Sequence, residues 1–294
     1  MESGQHTLDF TEKLSDKSFS DKVERNNRII NSAIAYLAAY SITYVFFQVL
    51  TALFSRKYFL FHKLYFFKVE FTQDTELWTL DSVRKAFLYP SALMVVLGIV
   101  ALVIQRQIRK RPGIWKVFWL WLSIHSINLF CAQMILMPIR DYSKGIVASY
   151  LGMLADYWYW EDYIKISFSI LACLIMILIG YLAAKPFIQI TNSAKDINKN
   201  ENRFIYLFQT VILPYLICSA IVMIFYSDGS FLFNLTTILT MVVILISLFI
   251  EAMKNKMIMI YRLPENGQIE NRFLVFLVGG LIFLKIFLNN GVGF

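Results

Sequence analysis

Seven long apolar runs, separated by polar and charged segments, set the plan of the chain. They fall at about 29–54, 87–105, 114–138, 164–184, 205–226, 231–250 and 273–289. About 18 or more apolar residues, rising about 1.5 Å each as a helix, cross a hydrocarbon layer of about 30 Å. The pattern therefore predicts an all-α integral membrane protein, a polytopic bundle of six or seven transmembrane helices. The seventh run is the weakest, being short, interrupted by Gly279-Gly280 and carrying Lys285 near its end. Six spans followed by an interfacial helix are the alternative, with Lys285 snorkelling to the headgroups. Residues 1–28 are read as a cytoplasmic N-terminal segment, weakly amphipathic through Phe10, Leu14 and Phe19, and 29–294 as the bundle.

Between the first two runs the pattern changes period. From Tyr65 to Phe71 aromatic and β-branched residues alternate with Phe66, Lys68 and Glu70, a strand signal. Gln73-Asp74-Thr75 offers a turn, Glu76–Leu80 a return strand, and Asp81 or Ser82 a helix cap. A small external β-hairpin lying on the membrane surface is expected. Pro90 either begins the membrane part of the next helix or kinks it. The loop 139–163 ends in Tyr157, Trp158, Tyr159, Trp160 and Tyr163, an aromatic density typical of a membrane interface.

Composition agrees with the pattern. Of 294 residues, 58% are hydrophobic and only 16% charged, an excess that one water-soluble core cannot enclose. The net charge of +8 sits at the ends of the runs and is no nucleic-acid signature. One side of the seven-span topology carries 18 Lys and Arg, the other nine, with the tightest cluster at Arg106–Arg111. The excess of Lys and Arg predicts a cytoplasmic N terminus and a multi-pass protein of the plasma (inner) membrane. The first apolar run is too long for a cleavable signal and reads as a retained anchor. Cys131, Cys173 and Cys218 all lie within spans, so neither a disulfide framework nor a zinc site is expected.

Chemistry is sparse. The third run carries His125 near its middle, with Ser126, Asn128 and Gln133 close by. At about 100° per residue, Asn128 lies about 60° to one side of His125 and Gln133 about 80° to the other. Polar groups at that depth must face protein or water, and an interhelical hydrogen-bond network is the expectation. Candidate partners are Thr43, Tyr44 and Gln48, then Gln209 and Thr210, then Asn234, Thr236, Thr237 and Thr240. No carboxylate falls inside a run, glycine is scarce, and neither zinc-protease nor nucleophile-elbow motifs occur. No catalytic residue, metal ligand or cofactor is assigned.

Three functional classes remain. The leading one is a non-catalytic subunit or scaffold of a membrane complex. Its partner, another membrane or extracytoplasmic protein, would meet a surface of Trp158, Trp160, Tyr157, Tyr159, Tyr163 and Trp78. A carrier or channel for a neutral or lipidic solute would use the His125 face. An interfacial enzyme acting on a lipid-linked substrate would use Asp141, Asp156, Glu161 and Asp162.

Overall fold

The structure is a computed structural model describing residues 3–66, 68–72, 74–108, 113–141, 146–147, 149–191, 195–225, 231–254 and 271–293. Gln73 and Arg109–Arg111 lie outside the described residues, as do the side chains of Phe10, Leu14, Phe19 and Asp141. Among the described residues seven helices are long and apolar enough to cross a membrane, which makes the chain a polytopic membrane protein. α1 (Ser3–Lys57) begins well before the first apolar run. α2 (Leu80–Ile108) likewise starts earlier than its run. The third span is α3 (Trp115–Leu136). After the short α4 (Tyr150–Tyr157) comes α5 (Asp162–Ile188). The polar stretch that follows forms α6 (Lys195–Asn198) and α7 (Asn200–Leu207). α7 continues through a π-helical turn, Phe208–Ile212, into α8 (Leu213–Phe225) as one span. α9 (Phe231–Lys254) and α10 (Asn271–Leu288) complete the set.

α3 is the central helix, packed against α1, α2, α5 and α9. Its apolar stretch is 83% buried within the protein, against 17% for the peripheral α10. Lipid is as apolar as leucine, so helices in a bilayer associate through close packing and hydrogen bonds. Gly180 shows the packing at its closest. A Cβ there would strike the carbonyl oxygen of Ile244, so α5 and α9 meet at a glycine.

A hairpin is present, but its register differs from the expected one. β1 (Phe61–Leu64) pairs antiparallel with β2 (Val69–Phe71), with Lys63 opposite Glu70 and a bulge between Phe61 and Lys63. The chain reverses at Tyr65–Lys68, where the Tyr65 amide donates to the Lys68 carbonyl. The expected return strand is instead a 3₁₀ turn, Thr75–Leu77. There the Asp74 carboxylate accepts from the Glu76 amide, a local bond that competes with strand pairing. Thr79 then caps α2. Its hydroxyl accepts from the Ser82 amide while the Ser82 hydroxyl accepts from the Thr79 amide, a reciprocal capping box. Ser82 thus takes part in the cap from inside the helix, and Pro90 lies within α2.

A second ladder, β3 (Arg140–Asp141) with β4 (Ile146–Val147), stands between α3 and α4. The hairpin closes one end of the bundle rather than standing apart from it. Phe71 packs edge-on to Phe87 and Tyr150, whose own rings stack at 5.0 Å. At the other edge of the hairpin, Leu64 and Val292 exchange both backbone hydrogen bonds. That bridge brings the end of α10 to the hairpin side, while its beginning meets Trp115 at the start of α3 on the opposite side. Gly291, at φ 71°, makes the turn into the bridge, where a Cβ would strike the Tyr65 ring.

Candidate functional site

The polar residues expected on α3 form a layer at mid-span, and most of it is closed by bonds between helices. Asn128 donates to the Thr237 carbonyl at 2.7 Å and accepts from the Thr240 hydroxyl at 2.9 Å, tying α3 to α9. Ser126 lies 3.4 Å from Thr43 on α1 and also donates to the Leu122 carbonyl behind it. Tyr40 reaches Asn234 across α1 and α9. Gln133 accepts from Ser91 of α2 at 3.3 Å.

His125 stands apart from this network. It is 2% exposed, and neither ring nitrogen has a hydrogen-bond partner among the described residues. Aromatic rings enclose it instead. Tyr36 lies edge-on at 4.4 Å, Tyr40 edge-on at 5.5 Å, and Trp121 stacks at 5.9 Å. Ring contacts of this kind contribute about 0.5–1.5 kcal/mol each beyond burial. The Gln48 carbonyl oxygen and the Gln133 side-chain nitrogen are likewise buried without partners. Of the four α3 residues singled out in the sequence, Ser126 and Asn128 make full interhelical links and Gln133 a partial one.

One link was not anticipated. Pro214 has no amide hydrogen, and its ring excludes the carbonyl four residues back, that of Thr210. The helix widens to a π turn there, with the Leu213 amide bonding to the Phe208 carbonyl. The freed Thr210 carbonyl accepts from Ser32 of α1 at 2.5 Å, and Trp121 of α3 donates to the same Ser32 hydroxyl at 3.3 Å. Pro214 was the visible signal; Ser32 and Trp121 carried none. Arg203 is a second unanticipated contributor. Counted in the sequence only as a topology charge, it is 5% exposed and donates to the carbonyls of Ile197 and Ala252. A guanidinium there satisfies the open C-terminal end of α9 and opposes its dipole.

The aromatic surface divides into packed and exposed members. Trp78 lies against Phe71 and Phe87 and donates its indole hydrogen to the Thr72 carbonyl. Trp158 packs on Trp160, and Trp160 stacks on Phe168. Tyr157 is half-buried, and burial first, then neighbouring Tyr159, pushes its phenol above the usual tyrosine range. Tyr159 and Tyr163 remain outside, 92% and 68% exposed. Two of the carboxylates nearby, Asp156 and Asp162, lie against a lysine. Lys165, fully buried, bonds to Asp156 and lies 3.9 Å from Asp162, so an ammonium stands where a divalent cation would have to bind.

Two helices on this side end in the same unusual way. At the end of α1 the Leu60 amide donates to the Ser55 carbonyl and the Phe59 amide to that of Arg56. At the end of α4 the Trp160 amide donates to Ala155 and the Tyr159 amide to Asp156. Both are Schellman closures, whose left-handed residue is usually glycine. Here it is Phe59, at φ 62°, and Tyr159, at φ 55°.

No family model matches the chain, and neither a curated protein nor a solved structure matches it.

Proposed function

We propose that the protein is a non-catalytic subunit or scaffold of a membrane complex, meeting a second membrane or extracytoplasmic protein on its hairpin side. The observation that carries this reading is the pair Phe59 and Tyr159, 75% and 92% exposed and both in the left-handed region. A bulky residue held there costs about 1–2 kcal/mol relative to glycine. Each ring projects from a rigid helix end, the kind of preorganised aromatic that anchors protein interfaces. The links Asn128–Thr240 and Ser32–Thr210 support the same reading, since one ties α3 to α9 and the other ties α1 to the span of α7 and α8. We read the N terminus as cytoplasmic from the distribution of Lys and Arg, which puts this surface outside.

The test is purification from native membranes under mild conditions, comparing wild type with Phe59→Gly/Tyr159→Gly. The reading expects a stoichiometric partner with the wild type, lost in a variant that still inserts and folds. A lone, monodisperse wild-type chain overturns it and leaves these rings as headgroup anchors.

A further inference from the structure

Between α1, the start of α3 and α10 lies a cleft of ≈ 450 Å³. Apart from Ser41, every residue lining it is apolar. Along α10 it runs from Phe273 to Leu284, about 16 Å at 1.5 Å per residue. That is about half of a 30 Å hydrocarbon layer, the depth of one leaflet. We propose that the cleft seats one acyl chain of an anionic diacyl phospholipid, drawn from the leaflet on the side where α10 begins.

Three features point to that occupant. Water gains nothing in an apolar space, so at this depth the cleft is filled by hydrocarbon. The mouth lies where Trp115, 53% exposed, meets Phe273 at 5.2 Å, and tryptophan favours the headgroup level. Exposed Arg272 adjoins Phe273 at the same mouth. Cations at a leaflet surface attract anionic lipid.

The two adjacent glycines of α10 supply the test. A Cβ at either meets nothing within 4 Å, but only Gly280 lines the cleft. Gly280→Phe therefore fills the cleft, and Gly279→Phe is its control. The full chain is purified in mild detergent, presented with phosphatidylglycerol or phosphatidylcholine, and read by native mass spectrometry. The expected result is one retained phosphatidylglycerol per chain, with retention about tenfold lower in Gly280→Phe, equivalent to about 1.4 kcal/mol. Gly279→Phe should retain it as wild type does, and Arg272→Gln should erase the preference over phosphatidylcholine. Equal retention by both glycine variants overturns the proposal. So does equal retention of the two lipids by wild type, or a dimer that Gly280→Phe dissociates with no change in bound lipid. Were Gly280→Phe to misfold, phosphatidylglycerol with brominated chains still decides the matter. It should quench wild-type fluorescence more than that of Trp115→Phe, and equal quenching counts against the site.

Discussion

The hydroxyl of Ser32 donates to the carbonyl of Thr210 at 2.5 Å, joining residues 178 positions apart. Thr210 is available because Pro214 lacks the amide hydrogen that its carbonyl would take in an α-helix. A helix break and an interhelical bond are therefore one device. Trp121, donating to the same hydroxyl, extends it to the central helix and to the rings around His125.

Ser32→Ala should cost about 1–3 kcal/mol, because it leaves the Thr210 carbonyl and the Trp121 indole hydrogen buried and unpaired. In a Pro214→Ala background the helix can re-form its own bond to Thr210, so the same substitution should cost less. A double-mutant cycle on unfolding in detergent measures the difference. Strictly additive losses would dissociate the π turn from the Ser32 bond.

His125→Phe should leave stability unchanged or raise it. The ring contacts with Tyr36, Tyr40 and Trp121 suit phenylalanine, and two buried nitrogens without protein partners are removed. A loss above about 2 kcal/mol would mean that the nitrogens make a stabilising interaction. Unchanged stability with loss of cellular function would assign them a task other than packing.

Removing Lys165 should be severe. Lys165→Met leaves Asp156, 16% exposed, without its cation, at a cost of about 2–4 kcal/mol. Lys165→Met/Asp156→Leu should recover most of it, since an apolar pair fits where an ion pair was buried. Thermal denaturation of the two variants in one detergent gives the comparison, and no recovery would argue that Asp162 shares the load.

Phe59→Gly and Tyr159→Gly should each stabilise the isolated chain by about 1 kcal/mol, the relief of the left-handed backbone less the added freedom of the unfolded chain. Raised melting temperature is the readout. A fall instead would show that the exposed rings contribute contacts to the fold itself.

Single cysteines should label in two sets. Positions Lys199 and Arg109 should react from the cytoplasm, and Asp74 and Asn290 from outside. The bridge between Leu64 and Val292 requires Asn290 to share a side with Asp74 whichever way the protein faces. Labelling of those two from opposite sides would dismantle the seventh span.

Six or seven spans, the presence of a hairpin and the aromatic concentration at 157–163 were all legible in the amino-acid order. Each depends on local composition: hydrocarbon length sets the run, and strand and interface signals repeat over a few residues. Helix ends were less legible, because α2 starts on Thr79 and Ser82, whose capping hydroxyls look like those of any polar loop. The hairpin was legible but its register was not, since the chain reverses at Tyr65–Lys68 and the local turns at Phe59 and Asp74 bound its two strands on the outside.

Only tertiary structure decided the rest. The residues on α3 that the sequence marked as one polar face separate in three dimensions. Asn128 finds Thr237 and Thr240, while His125, one turn away, finds only rings. Nor does a sequence pattern reveal that Ser32 meets Thr210, that Lys165 holds Asp156, or that α10 leaves an apolar cleft against α1 and the start of α3. Hydrophobicity acts along the chain without direction and so declares which segments enter the membrane. Hydrogen bonds and ion pairs are directional and short, so their partners are chosen only when the helices have found their rotations and depths.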